Sequence, residues 1–212
     1  MPRFLVVLDV DSTLIENEAI ELLAEVAGSH DAVREITKRA MAGELDFAES
    51  LTERVATLRG VDEGVFESVG SRILVTPGVP DMIAGVHAAD GLVGVVSGGF
   101  HELLDPVAER LGLDFWRANR LEVSEGVLTG RVDGPIVDAA AKAAALTEWA
   151  QEAGVPLPRT VAIGDGANDL EMMRVAGLSV AFDAKPKVRA SADVSMPVRD
   201  LSQVLPLLGL RG

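Results

Sequence analysis

The first hydrophobic segment of the chain is an unbroken apolar run from Phe4 to Leu8. A run without alternating polar residues predicts a β-strand that is buried on both faces, as in a parallel sheet. Asp9 and Asp11 follow this run directly, so we expect them where the strand leaves the core at its carboxyl end. Open α/β sheets bind their ligands at that edge. The two carboxylates therefore mark the first candidate for a functional site.

The next stretch has the hydrophobic spacing of helices and not of strands. Apolar residues three or four positions apart predict helices that end near Gly28, Gly43 and Gly60, and a fourth helix over residues 62–73. About sixty residues of helix are too many for a simple connection between two parallel strands. We therefore predict an inserted helical cap domain over residues 15–74 and a core domain made of residues 1–14 and 75–212.

Strands and helices alternate through the rest of the chain, which predicts an α/β fold with a Rossmann-like parallel sheet. A turn is expected at Ser97-Gly98-Gly99, and a small β-hairpin is expected from Leu121 to Val132. The predicted strands cover residues 92–96, 160–163, 179–182 and 193–196, and the predicted helices cover residues 79–89, 100–111, 139–153, 170–176 and a segment from 201 onward.

Composition limits the classes of protein to which this chain can belong. The chain has 212 residues, 48% of them hydrophobic, which is enough to bury one core or one core with an insert. It has no cysteine, so any metal must be held by oxygen or histidine. The net charge of −14 argues against binding to nucleic acid or to an anionic membrane. With no signal-peptide pattern and no long apolar run, a cytoplasmic location is expected.

Two interpretations are open for Asp9 and Asp11. A calcium-binding EF-hand loop is excluded, because Leu14 stands where such a loop needs glycine and Ile20 where it needs its bidentate glutamate. The pair suits a nucleophile with an acid or base partner beside a divalent cation. A structural turn at the end of the strand is the other interpretation.

Two segments that contain glycine follow later strands. Ser97-Gly98-Gly99 offers a hydroxyl and open backbone N–H groups to a phosphate, although glycine after a strand is also ordinary turn chemistry. The segment from Gly164 to Asp169 carries two carboxylates and an amide. A dinucleotide would meet negative charge there, because Asp169 replaces the third glycine of the dinucleotide motif. Oxygen-ligated Mg²⁺ fits this segment better.

Three further charged residues are ambiguous from sequence. Lys142 is the only lysine among the alanines of its predicted helix. Residue type alone favours a surface lysine, and the alternative is an ammonium group that neutralises a phosphate. Glu18 and Arg54 belong to the predicted cap, where each on its own is interpreted as a solvated helix charge.

The four elements occur in the order Asp-x-Asp, Ser-Gly-Gly, Lys and Gly-Asp-Gly-x-Asn-Asp. Together they resemble the haloacid dehalogenase (HAD) superfamily of phosphotransferases, and in particular its Asp-x-Asp-Ser-Thr subgroup, the phosphoserine phosphatase family. Matches at Asn17-Glu18, around Met41 and from Phe47 to Val55 extend the resemblance into the cap. Val10 departs from it, because the family usually has an aromatic residue at this position.

The resemblance implies a HAD fold and a mechanism. Asp9 would attack phosphorus, and Asp11 would serve as the acid and then the base. Mg²⁺ would be held by Asp9, the Asp11 backbone carbonyl and Asp165, while Asp169 would orient water bound to the ion. The substrate-binding residues that the resemblance implies are Glu18, Met41, Phe47, Arg54, Ser97, Gly98, Lys142 and Asn168.

The implied activity is hydrolysis of O-phospho-L-serine to L-serine and phosphate, the last step of serine biosynthesis. Glu18 would contact the substrate ammonium group, and Arg54 would contact its carboxylate. The alternatives are transfer to another alcohol such as homoserine, action on another small phosphomonoester, and a noncatalytic module with the same fold. Length and the cap disfavour a signalling receiver domain, and the second acid at Asp11 disfavours a dehalogenase. Monomer and homodimer are both left open.

Overall fold

A seven-stranded, mostly parallel sheet forms the centre of the protein, whose computed structural model describes residues 2–210. The outermost residues of the predicted core domain, 1 and 211–212, lie outside the described residues. The strands are β1 (Leu5–Leu8), β2 (Leu92–Phe100), β3 (Phe115–Ser124), β4 (Val127–Asp133), β5 (Thr160–Gly164), β6 (Leu178–Phe182) and β7 (Val194–Met196). The helices up to residue 153 are α1 (Ala19–Ala27), α2 (His30–Met41), α3 (Phe47–Ala56), α4 (Val65–Gly70), α5 (Val79–Ala88), α6 (His101–Leu111) and α7 (Ala139–Ala153). The later ones are α8 (Leu170–Val175), α9 (Pro186–Arg189) and α10 (Val204–Leu207).

The sheet order, β4-β3-β2-β1-β5-β6-β7, places the first strand at the centre. Leu8 pairs in parallel with Val95 of β2 on one side and with Ile163 of β5 on the other. The carboxyl ends of these three strands therefore meet at one edge of the sheet. Asp9 follows β1 at this edge, Asp165 follows β5 there, and Ser97 to Phe100 form the end of β2, as expected for the site edge of an α/β fold. The predicted α/β fold is confirmed.

Alternate residues of β1 contribute to two apolar layers on opposite faces of the sheet. Val6 and Leu8 belong to the layer shared with α5 and α6, and Leu5 and Val7 belong to the layer shared with α7 and α8. All four side chains are fully buried. This two-sided burial explains why the run carries no polar residue. None of the helices in the described part of the chain combines the length and apolar composition needed to cross a bilayer.

Helices α1 to α4 fill the stretch for which a cap was predicted. Gly28 ends α1 in the left-handed conformation, with φ of 68°, which accounts for glycine there. Asp46 begins α3 with a capping box, in which its carboxylate accepts a hydrogen bond from the Glu49 N–H at 2.8 Å. The buried side chains of α1 and α3 share one apolar cluster with the sheet. The division into cap and core domains stays a prediction.

The helical insert is tied to the sheet at two places. At its base, Ile15 and Val75 form an antiparallel bridge, so the chain enters and leaves the insert side by side. At its far end, the Gly60 N–H donates to the Leu128 carbonyl at 2.8 Å, next to an antiparallel bridge between Asp62 and Val127. The hairpin of β3 and β4 thus extends the sheet and also holds the insert.

The structure corrects the predicted turn at Ser97-Gly98-Gly99. Strand β2 continues through these residues to Phe100 and is again paired with β3 at Asn119 after a shift in register. The Asn119 amide donates to the carbonyls of Gly98 at 2.8 Å and Gly99 at 3.2 Å. The Asn119 side chain, 21 residues from Gly98 in sequence, thus supplies hydrogen bonds where the pairing of β2 with β3 is interrupted between Val96 and Phe100. These hydrogen bonds keep the glycines in an extended conformation.

Other elements differ less from the prediction. The hairpin is confirmed, with its turn at Glu125-Gly126 where both residues have positive φ. Its first strand is longer than predicted, since β3 begins at Phe115 and pairs in parallel with β2. Helix α4 is only six residues long, whereas the sequence predicted a helix over residues 62–73. The short helix α9 was not predicted.

Candidate active site

A pocket opens at the carboxyl edge of β1, β2 and β5 and is covered by α1 and α3. Eight residues come from the strand-end segments: Asp9, Asp11, Gly98, Gly99, Phe100, Asp165, Gly166 and Asn168. Others come from the helical insert: Glu18, Ile20, Phe47, Leu51 and Arg54. Lys185, which follows β6, completes the lining. The structure therefore brings together residues from the start, middle and end of the chain.

Asp9 lies at the base of this pocket and is 5% exposed. Its backbone N–H donates to the Ile163 carbonyl at 2.9 Å, so the residue is fixed between β1 and β5. One carboxylate oxygen accepts a hydrogen bond from Lys142 Nζ at 2.5 Å. Burial and the nearby Asp169 carboxylate raise the pKa of Asp9 well above its usual value, and the Lys142 charge opposes this rise. The carboxylate is thus held in place by a cation.

Lys142 lies below the pocket, where it is completely buried. Helix α7 begins at Asp138, whose carboxylate caps the Ala141 N–H at 2.8 Å, and carries Lys142 toward the sheet. The ammonium group donates to Asp9 at 2.5 Å and to Asp169 at 2.7 Å. The interpretation as a surface lysine is wrong. Two ion pairs are what make its burial possible.

Three carboxylates, those of Asp9, Asp165 and Asp169, offer oxygens within 4.8 Å of one another. Hard divalent cations prefer such oxygen ligands, so the donor set fits a metal ion. Burial and the Asp169 charge raise the pKa of Asp165 to about 6. Both oxygens of Asp169 are already engaged, one by Lys142 and the other by the Gly166 N–H at 3.0 Å. Asp9 and Asp165 are therefore better placed than Asp169 to ligate an ion directly.

Asp11 lines the same pocket two residues after Asp9. One of its oxygens accepts from the Ala19 N–H at 2.8 Å, and the other lies 3.5 Å from the Ser97 hydroxyl. Burial, with a further contribution from Glu18, raises the pKa of Asp11 to about 7. A carboxyl group with this pKa can donate or accept a proton near neutral pH.

The residue after Asp11 connects the strand end to the first helix. Ser12 adopts a left-handed conformation, with φ of 59°, and its hydroxyl donates to Glu18 at 2.7 Å. Asp11 and Glu18 are therefore held at the same side of the pocket by neighbouring backbone and side-chain contacts.

Phe47 and Arg54 form the wall contributed by α3. A Cβ added to Gly98 would lie 2.6 Å from Phe47 Cζ, so the two segments touch there only because residue 98 is glycine. Arg54 Nε donates to the Ser50 carbonyl at 3.2 Å, and in residues 2–210 its guanidinium forms no ion pair. Burial lowers the pKa of Arg54, partly offset by Glu18. A cation with unused donors thus faces the pocket.

The remaining predicted residues differ in how close they lie to the pocket. Asn168 lines it, whereas Ser97 lies just behind its surface beside Asp11. Met41 does not line it, because it lies at the end of α2 with 78% of its surface exposed. A role for Met41 at the substrate is not supported by this position.

Sequence reasoning missed Lys185. This residue comes three positions after β6 ends at Phe182, so the rule that ligands bind at the carboxyl edge could have found it. It was missed because no motif includes it and because β6 is a less central strand. The apolar liners Ile20 and Leu51 were also missed as site residues, since each also fits the buried stripe of its own helix.

Comparisons with known proteins agree with this geometry. The chain matches the haloacid dehalogenase-like hydrolase family over residues 6–174. It is 49% identical over 204 residues to a phosphoserine phosphatase of Streptococcus thermophilus, in an alignment that covers 96% of this chain and 95% of the relative. It is 54% identical over 206 residues to a phosphoserine phosphatase of Streptomyces coelicolor. That alignment covers 97% of this chain but only 50% of the relative, so this chain spans about half the length of that protein.

Two solved structures are similar in fold over almost their full length. A phospho-aspartyl intermediate analogue of phosphoserine phosphatase has a TM-score of 0.92 and 41% identity, with 98% of this chain and 99% of that chain covered. A substrate-bound phosphoserine phosphatase complex has a TM-score of 0.92 and 40% identity at the same coverage. The chain therefore belongs to the haloacid dehalogenase-like hydrolases and, within them, to the phosphoserine phosphatase family.

Proposed function

We propose that this protein is a Mg²⁺-dependent phosphatase that hydrolyses O-phospho-L-serine to L-serine and phosphate, as the last step of serine biosynthesis. The observation that carries the proposal is the arrangement around Asp9. A buried carboxylate at a strand end faces a pocket, is held by Lys142 from below, and lies on the same segment as a second acid, Asp11, with a pKa of about 7.

The reaction has two steps at Asp9. In the first, a carboxylate oxygen of Asp9 attacks phosphorus, the bond from phosphorus to the serine oxygen breaks, and Asp11 donates a proton to that oxygen. In the second, Asp11 takes a proton from water as the water oxygen attacks phosphorus, which frees Asp9 and releases phosphate. Protonation of the leaving group contributes about a hundredfold or more, because a serine alkoxide is a poor leaving group.

Mg²⁺ would be held by the side chains of Asp9 and Asp165 and by the Asp11 backbone carbonyl. When bound, it supplies positive charge that offsets the negative charge of the phosphate and of the carboxylates. Asp169, with both oxygens engaged by Lys142 and Gly166, would keep the neighbouring groups in place and orient the attacking water.

Hydrogen-bond donors around Asp9 suit the phosphate oxygens. The Ser97 hydroxyl, the Gly98 N–H and the Asn168 amide would hold them, with Lys142 adding charge through Asp9. Ser97 Oγ accepts a hydrogen bond from the Gly99 N–H at 2.7 Å and lies 3.5 Å from an oxygen of Asp11. Ser97 and Gly98 are fixed by strand β2 and Asn168 by the helical turn Ala167–Asp169, so these donors need little reorganisation during the reaction.

The helical insert supplies the groups for the amino-acid part of the substrate. Arg54 would bind the substrate carboxylate. Its Nε–H donates to the Ser50 carbonyl, and within residues 2–210 its guanidinium forms no ion pair, so further N–H donors can contact the substrate. Glu18 would bind the ammonium, and its hydrogen bond from Ser12 limits where its carboxylate can lie. Phe47 would cover the apolar stem. Met41 would need to move from its exposed position to contact substrate.

An assay of phosphate release tests reaction, metal and substrate together. The panel contains phosphoserine, phosphothreonine, phosphoethanolamine and sugar phosphates, each with Mg²⁺ and with EDTA. We expect phosphoserine to be preferred and EDTA to abolish turnover. A trapped beryllium fluoride complex should have its beryllium on an Asp9 oxygen. Attachment elsewhere would contradict the proposal.

Two variants separate a phosphoserine phosphatase from a general one. Asp9→Asn should abolish turnover of every substrate. Arg54→Ala should lower kcat/KM for phosphoserine by roughly ten- to a thousandfold, because a bidentate contact to the carboxylate is lost. Its effect on phosphoethanolamine, which has no carboxylate, should be small. If Arg54→Ala leaves phosphoserine turnover unchanged, the assignment to an amino-acid substrate fails. Product analysis with added homoserine would reveal transfer to an alcohol.

A cytoplasmic location and a monomeric or homodimeric state are part of the same proposal. The absence of cysteine is compatible with a reducing compartment. Fractionation of cells and sedimentation of the purified protein would test the two statements separately.

A further inference from the structure

Lys185 is a positively charged residue on the pocket surface that the mechanism above does not use. It lines the pocket beside Asp165 and follows strand β6. The residue as a whole is exposed. Within residues 2–210 its ammonium group forms no ion pair, in contrast to Lys38 and Lys142. An exposed charge without a partner, at the mouth of a binding site, is available to a ligand.

The pocket lining contains more acidic than basic residues, so each cation at its surface affects how an anionic ligand binds. Four lining residues are acidic: Asp9, Asp11, Glu18 and Asp165. The cations among the lining residues of the described chain are Arg54 and Lys185. Lys142 does not line the pocket, and its ammonium is already engaged by two carboxylates. With a net charge of −14 on the whole chain, a phosphate dianion approaching this site is repelled unless a local cation offsets the charge.

The backbone fixes Lys185 to the segment that carries Asp165. The Lys185 N–H donates to the Asp165 carbonyl at 3.2 Å, and the Lys185 carbonyl accepts from the Val188 N–H at 3.0 Å. Ala184 and Val188, on either side, are buried. The start of the side chain is therefore held near the strand ends, while its four-carbon stem leaves the ammonium free to follow a ligand.

We propose that Lys185 is a substrate-binding residue that captures the phosphate group as it enters the pocket and holds inorganic phosphate before release. This inference rests on the proposed function and adds a residue to it. Arg54 and Lys185 would divide the two anionic groups of the substrate between them, with the carboxylate toward α3 and the phosphate toward the loop after β6.

Lys185→Gln tests the proposal, and Lys187→Gln is its matched control. Lys187 is exposed, lies two residues further along and does not line the pocket, so both variants change the net charge equally. We expect Lys185→Gln to raise the dissociation constant for inorganic phosphate, measured by calorimetry in Mg²⁺, by about tenfold at low salt. The difference from the control should shrink at high ionic strength, because the ammonium is exposed to solvent.

Steady-state kinetics should show the same effect on substrate. Lys185→Gln should raise KM for phosphoserine by a similar factor while kcat changes less than about twofold, since the residue does not act on the reacting bonds. Lys185→Arg should restore most of the affinity, because the charge is kept. Lys187→Gln should match the wild type in both measurements.

The Mg²⁺ dependence distinguishes phosphate capture from an indirect role through Asp165. Removing a cation beside a carboxylate ligand should leave the Mg²⁺ concentration for half-activation unchanged or lower it. A rise in that concentration with unchanged phosphate affinity would mean that Lys185 only supports the metal-binding loop. Equal phosphate affinity in the two glutamine variants would also overturn the proposal.

The outcome is separable from that of the proposed function. If wild type and Lys187→Gln both fail to release phosphate from phosphoserine, the proposed function is wrong. Calorimetry with inorganic phosphate still compares the two variants in that case, because it needs no turnover.

Discussion

Replacing Lys142 by methionine tests how the buried charges at the base of the site are balanced. Methionine has a similar length, so the change removes the ammonium group with little change in volume. Asp9 and Asp169 then lose the cation that lies 2.5 and 2.7 Å from their oxygens, in a region that is at most 6% exposed. Removing one partner of a buried ion pair costs about 3–5 kcal/mol of unfolding free energy.

This loss is large enough to measure by thermal unfolding. For a domain of this size, 1 kcal/mol shifts the Tm by about 2–4 °C, so Lys142→Met should lower the Tm by roughly 6–20 °C in EDTA. Circular dichroism measures the transition, and Lys187→Met is the control because its ammonium is exposed. Mg²⁺ should recover part of the loss, since the ion binds the folded carboxylates.

The pH dependence gives a second check with a definite sign. Lys142 lowers the pKa of Asp9, so its removal raises that pKa still further above the value in the unfolded chain. The folded variant then binds a proton that the unfolded chain releases, and its stability is lost as the pH rises through the folded pKa. The difference from wild type should therefore be smaller at low pH than at high pH. An unchanged Tm, or a loss of equal size at every pH, would refute this account of the buried charges.

Four other substitutions have definite outcomes. In Gly164→Ala, the new Cβ would lie 2.3 Å from an Asp169 oxygen, so overpacking should cost about 1–3 kcal/mol in urea unfolding and weaken Mg²⁺ activation. Gly70→Ala, with nothing within 4 Å of its Cβ, should be neutral or stabilising. Asp46→Ala removes the cap of α3 and should lower the unfolding free energy by about 1 kcal/mol without changing kcat, as measured by urea unfolding and steady-state assay. Asp11→Asn should lower phosphoserine turnover about a hundredfold or more. The variant should still give a burst of nitrophenolate from nitrophenyl phosphate, because this leaving group needs no proton. Loss of the burst would mean that Asp11 is also needed for the attack of Asp9 on phosphorus.

Much of the site could be predicted because strand ends are readable from local patterns. The apolar run before Asp9 is buried on both faces, and its neighbours β2 and β5 have similar runs. Parallel strands share one carboxyl edge, so polar residues that follow such runs converge. Asp9, Asp11 and Asp165 line the same pocket for this reason.

Three features could not be predicted from local patterns. The alanine-rich helix α7 has a weak apolar stripe, so the orientation of Lys142 depends on how the helix packs on the sheet. The extended conformation of Ser97-Gly98-Gly99 depends on the Asn119 amide, which is distant in sequence. Met41 follows the pattern of its helix but lies exposed, because α2 buries only Val33.

The sequence by itself determined the strands, most of the helices and the group of acidic residues at the carboxyl edge, because hydrophobic periodicity records which face of each element is buried. The tertiary structure decided which charges are paired. Lys142 is neutralised by two carboxylates below the pocket, whereas Lys185 lines the pocket and forms no ion pair with any residue of 2–210. The physical reason is that an ion pair depends on distances between residues far apart in the chain, and those distances exist only after the sheet and helices have packed.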